Sequence, residues 1–383
     1  MPSIDRLLEL LICEGGSDLH LAEGQPPKLR KHGDIMPIGD EAVTQAEVVM
    51  MLREICETKQ WDIFEENGDL DLAYEMKEGS RFRCNLLKQT NGYGAVFRLI
   101  PTRIASLEEL GIPPVVRGFG DLRSGLVLIT GPTGSGKSTT LAALVDYISH
   151  TYMRHIVTIE EPIEFVHRPQ RSIITQRGVP EHSSSFSAGL KAALRQDCDI
   201  VLVGEMRDLE TISLALTAAE TGLLVFATLH TNNARKTIDR MIDVFPSDKQ
   251  SQARTMLANS LRGVVAQLLL KRTGGGGRVA VNEILVSTPA VASIIREGAS
   301  HKLQDVIISG KGAGMQFMDD AIWALLKEGS ISPNEAFMKS IDKSRLKKFL
   351  PREDAGLANS VGGVAEDDKC RPGDFVEPIA RSG

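Results

Sequence analysis

The chain has 383 residues, with 44 lysines and arginines against 50 aspartates and glutamates and a formal net charge of -6 at pH 7. At about 150 residues per domain this length exceeds one small core and predicts two domains, while the acidic balance argues against a dedicated nucleic-acid binder. No apolar run approaches the roughly 20 residues that cross a bilayer, and no basic start leads into an apolar signal core, so the expected compartment is the cytoplasm.

In chain order, Ile4, Leu7, Leu8 and Leu11 recur at helical spacing until Gly15-Gly16 stop the helix. Strands are predicted over 18–22, 28–31, 70–76, 82–89 and 94–99, with a helix over 45–57, giving a small α+β unit at 1–100. Pro101 and Gly111-Ile112-Pro113-Pro114 mark a linker, 101–118, ahead of a second domain over 119–350. There, apolar strands at 126–130, 156–159, 200–203 and 224–228 alternate with helices, the rhythm of a mostly parallel, doubly wound sheet that binds its ligand at the carboxyl ends of its strands. Glycines at 274–277 between strands at 268–271 and 279–285 predict an added antiparallel hairpin, and helices follow to about 350. The last stretch, 351–383, has one aromatic residue, several glycines and mixed charges, the composition of a disordered tail. Cys13, Cys56, Cys84, Cys198 and Cys370 form no Cys-x-x-Cys pair, so neither a disulfide framework nor a cysteine zinc site is expected, and the thiols are taken as buried or inert.

Directly behind the strand Leu126-Val127-Leu128-Ile129 stands Gly131-Pro132-Thr133-Gly134-Ser135-Gly136-Lys137-Ser138, and the helical pattern Leu141, Leu144, Val145, Ile148 follows. This is a P-loop in its required strand, loop and helix context. A triphosphate needs many donors at once, and glycines let successive backbone NH groups turn inward beside a positive helix end. Lys137 is placed to reach the β and γ phosphates of ATP, and Ser138 to hold Mg²⁺.

Hydrolysis also needs a metal-binding acid and a water-orienting group at neighbouring strand ends. Ile200-Val201-Leu202-Val203-Gly204-Glu205 delivers one carboxylate in the manner of a Walker B element, with Glu in the usual Asp place. Thr158-Ile159-Glu160-Glu161-Pro162-Ile163-Glu164 runs a second strand into three acids, and Leu224-Val225-Phe226-Ala227-Thr228-Leu229-His230-Thr231 ends a third on a histidine suited to sensing a γ phosphate.

These strings, with Leu194-Arg195-Gln196-Asp197 and Val203-Gly204-Glu205-Met206-Arg207-Asp208 in the same order, resemble the type IV pilus retraction (twitching motility) ATPases of the PilT kind, within the type II and type IV secretion ATPase superfamily. The resemblance covers about 1–350, including Gly16-Ser17-Asp18-Leu19-His20-Leu21 and Pro26-Pro27-Lys28-Leu29-Arg30. It implies a small N-terminal α+β (PAS-like) domain and a C-terminal RecA-like P-loop ATPase domain. It further implies a cytoplasmic homohexamer at the inner face of the bacterial inner membrane, peripheral to it and not inserted. Such a ring hydrolyses ATP with Mg²⁺, docks on an inner-membrane pilus platform protein and takes no nucleic acid; a paralogous retraction ATPase is a further candidate partner.

Residue by residue, the resemblance implies nucleotide contacts from Gly131, Thr133, Gly134, Ser135, Gly136, Lys137, Ser138 and Thr139, and Mg²⁺ held by Ser138 and Glu205. Glu164 becomes the group that polarises the attacking water, and His230 the surviving histidine of the His box. Arg81-Phe82-Arg83 and Phe97-Arg98 match motifs whose arginines reach a neighbour's nucleotide, with Arg83 and Arg98 preferred over Arg81. Two departures stand out: Leu223 follows Thr221-Gly222 where the family carries a second histidine, and Ala292 replaces an arginine in the helix motif at 290–297. These admit an accessory retraction paralogue. Extension and secretion ATPases generally carry longer N-terminal regions and a tetracysteine element absent from this sequence. A P-loop core also admits a DNA-translocating ring, which the acidic balance disfavours, and a non-hydrolysing ATP-binding module, which Lys137, Glu164 and Glu205 speak against.

Overall fold

The structure is a computed structural model that describes residues 3–31, 34–100, 103–275, 277–344 and 347. The segment 351–383, expected as a disordered tail, and Cys370 within it lie outside the described residues.

The N-terminal unit contains α1 (Asp5–Cys13), β1 (Asp18–Ala22), β2 (Lys28–Lys31), β3 (Asp34–Pro37), α2 (Gln45–Arg53), α3 (Thr58–Asn67), β4 (Asp69–Glu75), β5 (Arg81–Gln89) and β6 (Gly92–Ile100). Its strands form an antiparallel sheet in the order β3-β2-β1-β6-β5-β4. Period-two alternation sends Leu19, Leu21, Leu29, Phe82, Cys84, Leu86 and Phe97 into a core with Leu8, Leu52, Trp61 and Phe64 of the helices. The intervening residues of the same strands lie on the other face, where Asp18 pairs in register with Arg30 and Arg98, and Arg98 with Arg83.

The helix expected over 45–57 ends at Arg53, and a second one begins at Thr58 behind a Glu57/Gln60 capping box. The short edge strand β3 carries no apolar alternation because all four of its residues are exposed.

The second unit runs through α4 (Pro114–Gly118), β7 (Gly125–Thr130), α5 (Lys137–Thr151), β8 (His155–Glu160), β9 (Ile173–Gly178), α6 (Phe186–Ala193), β10 (Ile200–Val203), α7 (Leu209–Glu220) and β11 (Leu224–Leu229). It continues with α8 (Ala234–Asp243), α9 (Gln250–Ser260), β12 (Leu261–Lys271), β13 (Arg278–Val286), α10 (Pro289–Glu297), α11 (Leu303–Ser309), α12 (Met318–Lys327) and α13 (Pro333–Lys339). The sheet order is β13-β12-β7-β11-β10-β8-β9, parallel throughout except for the terminal hairpin β12–β13. Every residue of β7 is buried because both faces of the sheet are covered: Leu126 and Leu128 enter a core with α7, α8 and α9, while Val127 and Ile129 pack with Leu144 and Ile148 of α5. Leu107 and Ile112, from the segment between the two units, are buried in that second cluster with Val116 of α4 and Phe119. The edge strand β9 escapes sequence reading because one of its six residues is buried and its apolar side chains do not alternate.

Of the thiols expected to be buried or inert, Cys84 and Cys198 are buried, Cys56 is half-buried and Cys13 is exposed. Among the described residues, no helix is long and apolar enough to cross a membrane.

Candidate functional site

The loop at 131–136 joins the end of β7 to the first turn of α5. Gly131 has φ +148, and a Cβ there would stand 2.3 Å from the Gln267 carbonyl oxygen. Gly136, at φ +84, would place a Cβ 2.9 Å from Gln267 Nε2. Only glycine fits either place. Thr133 and Gly134 form the exposed rim, and Ser138 and Thr139 are half-buried in the first turn of α5.

Gln267 explains how the loop is held. Its Nε2 donates to the Ser135 carbonyl at 2.8 Å, and its Oε1 accepts from Thr140 Oγ1 at 2.9 Å and Asn282 Nδ2 at 3.0 Å. Sequence reading missed this residue, although a polar side chain inside the apolar run 264–270 is the signal that marks it. Buried amides in a strand require partners, and here the partner is the phosphate loop.

Lys137 Nζ donates to the carbonyls of Gly131 at 2.8 Å and Pro132 at 3.1 Å, so the ammonium lies against the loop. Burial pushes its pKa below the usual lysine range, and the charges of Glu205 and Glu164 work in the opposite direction. Both predicted acids therefore lie within electrostatic reach of the P-loop lysine. Ser135 Oγ is buried without a hydrogen-bond partner among the described residues, a donor available to a phosphate oxygen.

Glu205 follows β10 in a turn pinned on both sides. Gly204 N donates to the Ile159 carbonyl of β8 at 2.7 Å, Met206 N donates to the Thr228 carbonyl of β11 at 3.1 Å, and Thr228 Oγ1 donates to the Gly204 carbonyl. The carboxylate meets His230 Nε2 through Oε1 at 2.8 Å and Arg207 Nη2 through Oε2 at 2.7 Å. Burial raises its pKa, but Arg207 and His230 outweigh that and leave it below the ordinary glutamate value. Arg207, not singled out from sequence, also stands 3.9 Å from Glu161 Oε2 and so links the turn after β10 to the loop after β8.

Glu164 occupies that loop, 161–167, half-buried and without regular secondary structure. Glu160, at the end of β8, accepts from Thr158 Oγ1 at 2.7 Å and Gln176 Nε2 at 3.2 Å, and burial pushes its pKa up. Arg83 and Arg98 stand elsewhere, on the N-terminal sheet: Arg98 Nε is 2.7 Å from Asp18 Oδ1, and Arg83 Nε is 4.0 Å from Asp71 Oδ1. Arg81, on the same face, is 3.5 Å from Glu75 Oε2. Leu223 and Ala292 are half-buried against the core of the second unit.

The Ser138 hydroxyl and the Glu205 carboxylate are hard oxygen donors suited to Mg²⁺. No group of three or more His, Cys, Asp or Glu positioned to hold a metal occurs among the described residues. A cation held by one carboxylate, one hydroxyl and substrate phosphates fits that donor set, since Mg²⁺ is seldom caged by protein alone.

A phosphate loop at the head of a parallel sheet, with acids and a histidine at adjoining strand ends, defines a P-loop protein with a RecA-like ATPase domain. The family model for type II/IV secretion system proteins matches residues 1–321, and the chain belongs to that family. It is 48% identical over 337 residues to the type IV pilus retraction ATPase PilT of Pseudomonas aeruginosa, covering 88% of this chain and 98% of that one. The type IV pilus ATPase PilU of the same organism is 38% identical over 346 residues, covering 90% and 91% of the two chains. Among solved structures, the pilus retraction motor PilT with bound ADP matches with a TM-score of 0.83 at 40% identity, covering 90% of this chain and 98% of that one.

Proposed function

We propose that the chain is one subunit of a hexameric, Mg²⁺-dependent ATPase that drives type IV pilus retraction from the cytoplasmic face of the inner membrane, docked on a pilus platform protein. The observation that carries the hydrolytic part is geometric: a loop that admits only glycine at 131 and 136 holds Lys137 against its carbonyls, and at neighbouring strand ends Glu205 stands 2.8 Å from His230. The likeness to PilT supports the biological output.

In this reading Lys137 and the NH groups of 131–139 hold the β and γ phosphates. Ser138 and Glu205 hold Mg²⁺, which supplies positive charge toward the phosphate oxygens. Glu164 polarises a water whose oxygen bonds to the γ phosphorus as the bond to the β-bridging oxygen breaks, giving ADP and phosphate. His230 reports the state of the γ phosphate to the turn after β11. Arg83 and Arg98 are supplied to a neighbour's nucleotide, which ties turnover to ring assembly. The chain divides at 1–100 and 119–350 in this scheme.

A second reading, an accessory retraction paralogue, is favoured by Leu223 and Ala292, whose apolar side chains cannot carry the polar coupling that a histidine and an arginine would provide. Twitching motility in a deletion strain tests the output. Loss restored by this chain alone supports the main reading, restoration only alongside a second retraction ATPase supports the accessory one, and loss of pili altogether overturns both in favour of extension. ATP turnover no higher than that of Glu205→Ala would overturn the motor itself.

A further inference from the structure

Glu164 must hold a water in line with a phosphorus atom, yet it stands in an irregular loop, so some feature of the chain has to fix that loop. The geometry points to Gln176, on the edge strand β9, as a positioning residue for Glu164. This inference rests on the reading of Glu164 as the water-polarising group.

The side-chain amide of Gln176 closes the loop from both ends. Its Oε1 accepts from His167 N at 2.8 Å, and its Nε2 donates to the Phe165 carbonyl at 2.9 Å, so both backbone contacts flank Glu164 on its C-terminal side. The same Nε2 donates at 3.2 Å to Glu160 Oε1, on the N-terminal side of Glu164. Thr158 Oγ1 fixes Glu160 from within β8 at 2.7 Å.

One amide thus ties residues 160, 165 and 167 to a strand that is itself paired in register with β8, Thr158 opposite Gln176. The loop has no ladder of its own, so its conformation depends on these side-chain bonds. A group that positions a nucleophile gains most from a rigid second layer, and a displacement of about 1 Å costs on the order of 10²-fold in rate. The motif strings carry no sign of Gln176, because the three carbonyl, amide and carboxylate partners come together only once β9 docks on β8.

The test is a mutant cycle on the full-length protein. Gln176→Glu keeps size and the acceptor for His167 N but removes the donor to Phe165 and Glu160; Gln176→Ala removes all three bonds. Both are expected to lower kcat roughly 10- to 100-fold, with affinity for a fluorescent ATP analogue held within twofold of wild type. In a Glu164→Ala background, read by single-turnover release of labelled phosphate, Gln176→Ala is expected to cost nothing further, because Gln176 acts through Glu164. Multiplicative losses in the double variant, or wild-type kcat in both single variants, would overturn the positioning role while leaving Glu164's own role intact. Undiminished turnover in Glu164→Ala alone would overturn both readings. Loss of analogue binding by Gln176→Ala and Gln176→Glu alike would make the residue a fold determinant and overturn the proposal.

Discussion

His230 Nε2 lies 2.8 Å from Glu205 Oε1, so the histidine directly after β11 meets the acid in the turn after β10. The remaining oxygen of that acid is taken by Arg207 at 2.7 Å. In the proposed reaction Glu205 turns one of these oxygens toward Mg²⁺, so whatever binds there is read directly by His230 or Arg207. Strand ends adjacent in a parallel sheet make such a relay short.

His230→Ala removes one hydrogen bond to a charged group, worth about 1.5–3 kcal/mol. Turnover is expected to fall roughly ten- to a hundredfold, with ATP binding retained. Phosphate release under saturating ATP, beside an equilibrium titration with a fluorescent analogue, checks the split.

Gln267→Leu keeps the shape of β12 but strips three partners, leaving the Ser135 carbonyl, Thr140 Oγ1 and Asn282 Nδ2 without their bonds to it. Each buried polar group so orphaned costs about 1–3 kcal/mol. Weaker ATP binding and a lower melting temperature are expected together, whereas Gln267→Glu, which keeps the acceptor for Thr140 and Asn282, should fall between Leu and wild type. Unchanged nucleotide affinity in Gln267→Leu would detach this residue from the phosphate loop.

The contrast between Gln267 and Glu205 shows what the sequence carried and what it did not. Glu205, Lys137 and His230 announce themselves because each directly follows an apolar run or sits within a glycine string, and the order of strands alone brings them to one edge of the sheet. Gln267 and Gln176 act through partners up to 132 residues away, as in the Gln267 to Ser135 bond; the apolar run marks Gln267 as a polar residue in need of partners without saying which they are. The same limit explains the missed strands. β3 and β9 are held by backbone pairing at sheet edges, where burial writes no alternating pattern.

Glu283 is a buried acid, 2% exposed, that accepts from Ala234 N at 2.8 Å. Burial raises its pKa above the usual 4.5, and hydrogen bonds from the backbones of Ala234 and Met318 pull only partly back. A carboxyl whose folded pKa is raised contributes stability that is complete below its unfolded value and lost as pH rises through the folded one. Glu283→Gln keeps the acceptor and removes the ionisation. Its melting temperature is expected to exceed wild type at pH 7, by roughly 2–4 °C for a change of about 1 kcal/mol in a domain of this size. The advantage should vanish below about pH 4.5. Equal melting temperatures across that range would show that Glu283 ionises without cost.

Arg98 is 67% exposed at its side chain, yet its Nε is fixed on Asp18, which is only 5% exposed. A buried carboxylate that also stands 3.9 Å from Arg30 holds the guanidinium at a defined place on the sheet while leaving most of it free to meet a partner. Arg83, directly opposite in register, lies on the same face beside Asp71. If these arginines serve a neighbour's nucleotide, Arg83→Ala and Arg98→Ala lower turnover while each subunit still binds ATP, since removing a charge donor to the transition state costs on the order of 10²–10³-fold. Arg98→Lys should rescue poorly, because an ammonium lacks the planar fork. Mixing separates action in trans from action in cis. Rings assembled from Arg98→Ala and Lys137→Ala subunits together pair an intact P-loop with an intact arginine across some interfaces, so their turnover should exceed the sum of the two separate preparations. Turnover no greater than that sum would confine Arg98 to its own chain and remove the coupling between hydrolysis and assembly that the ring requires.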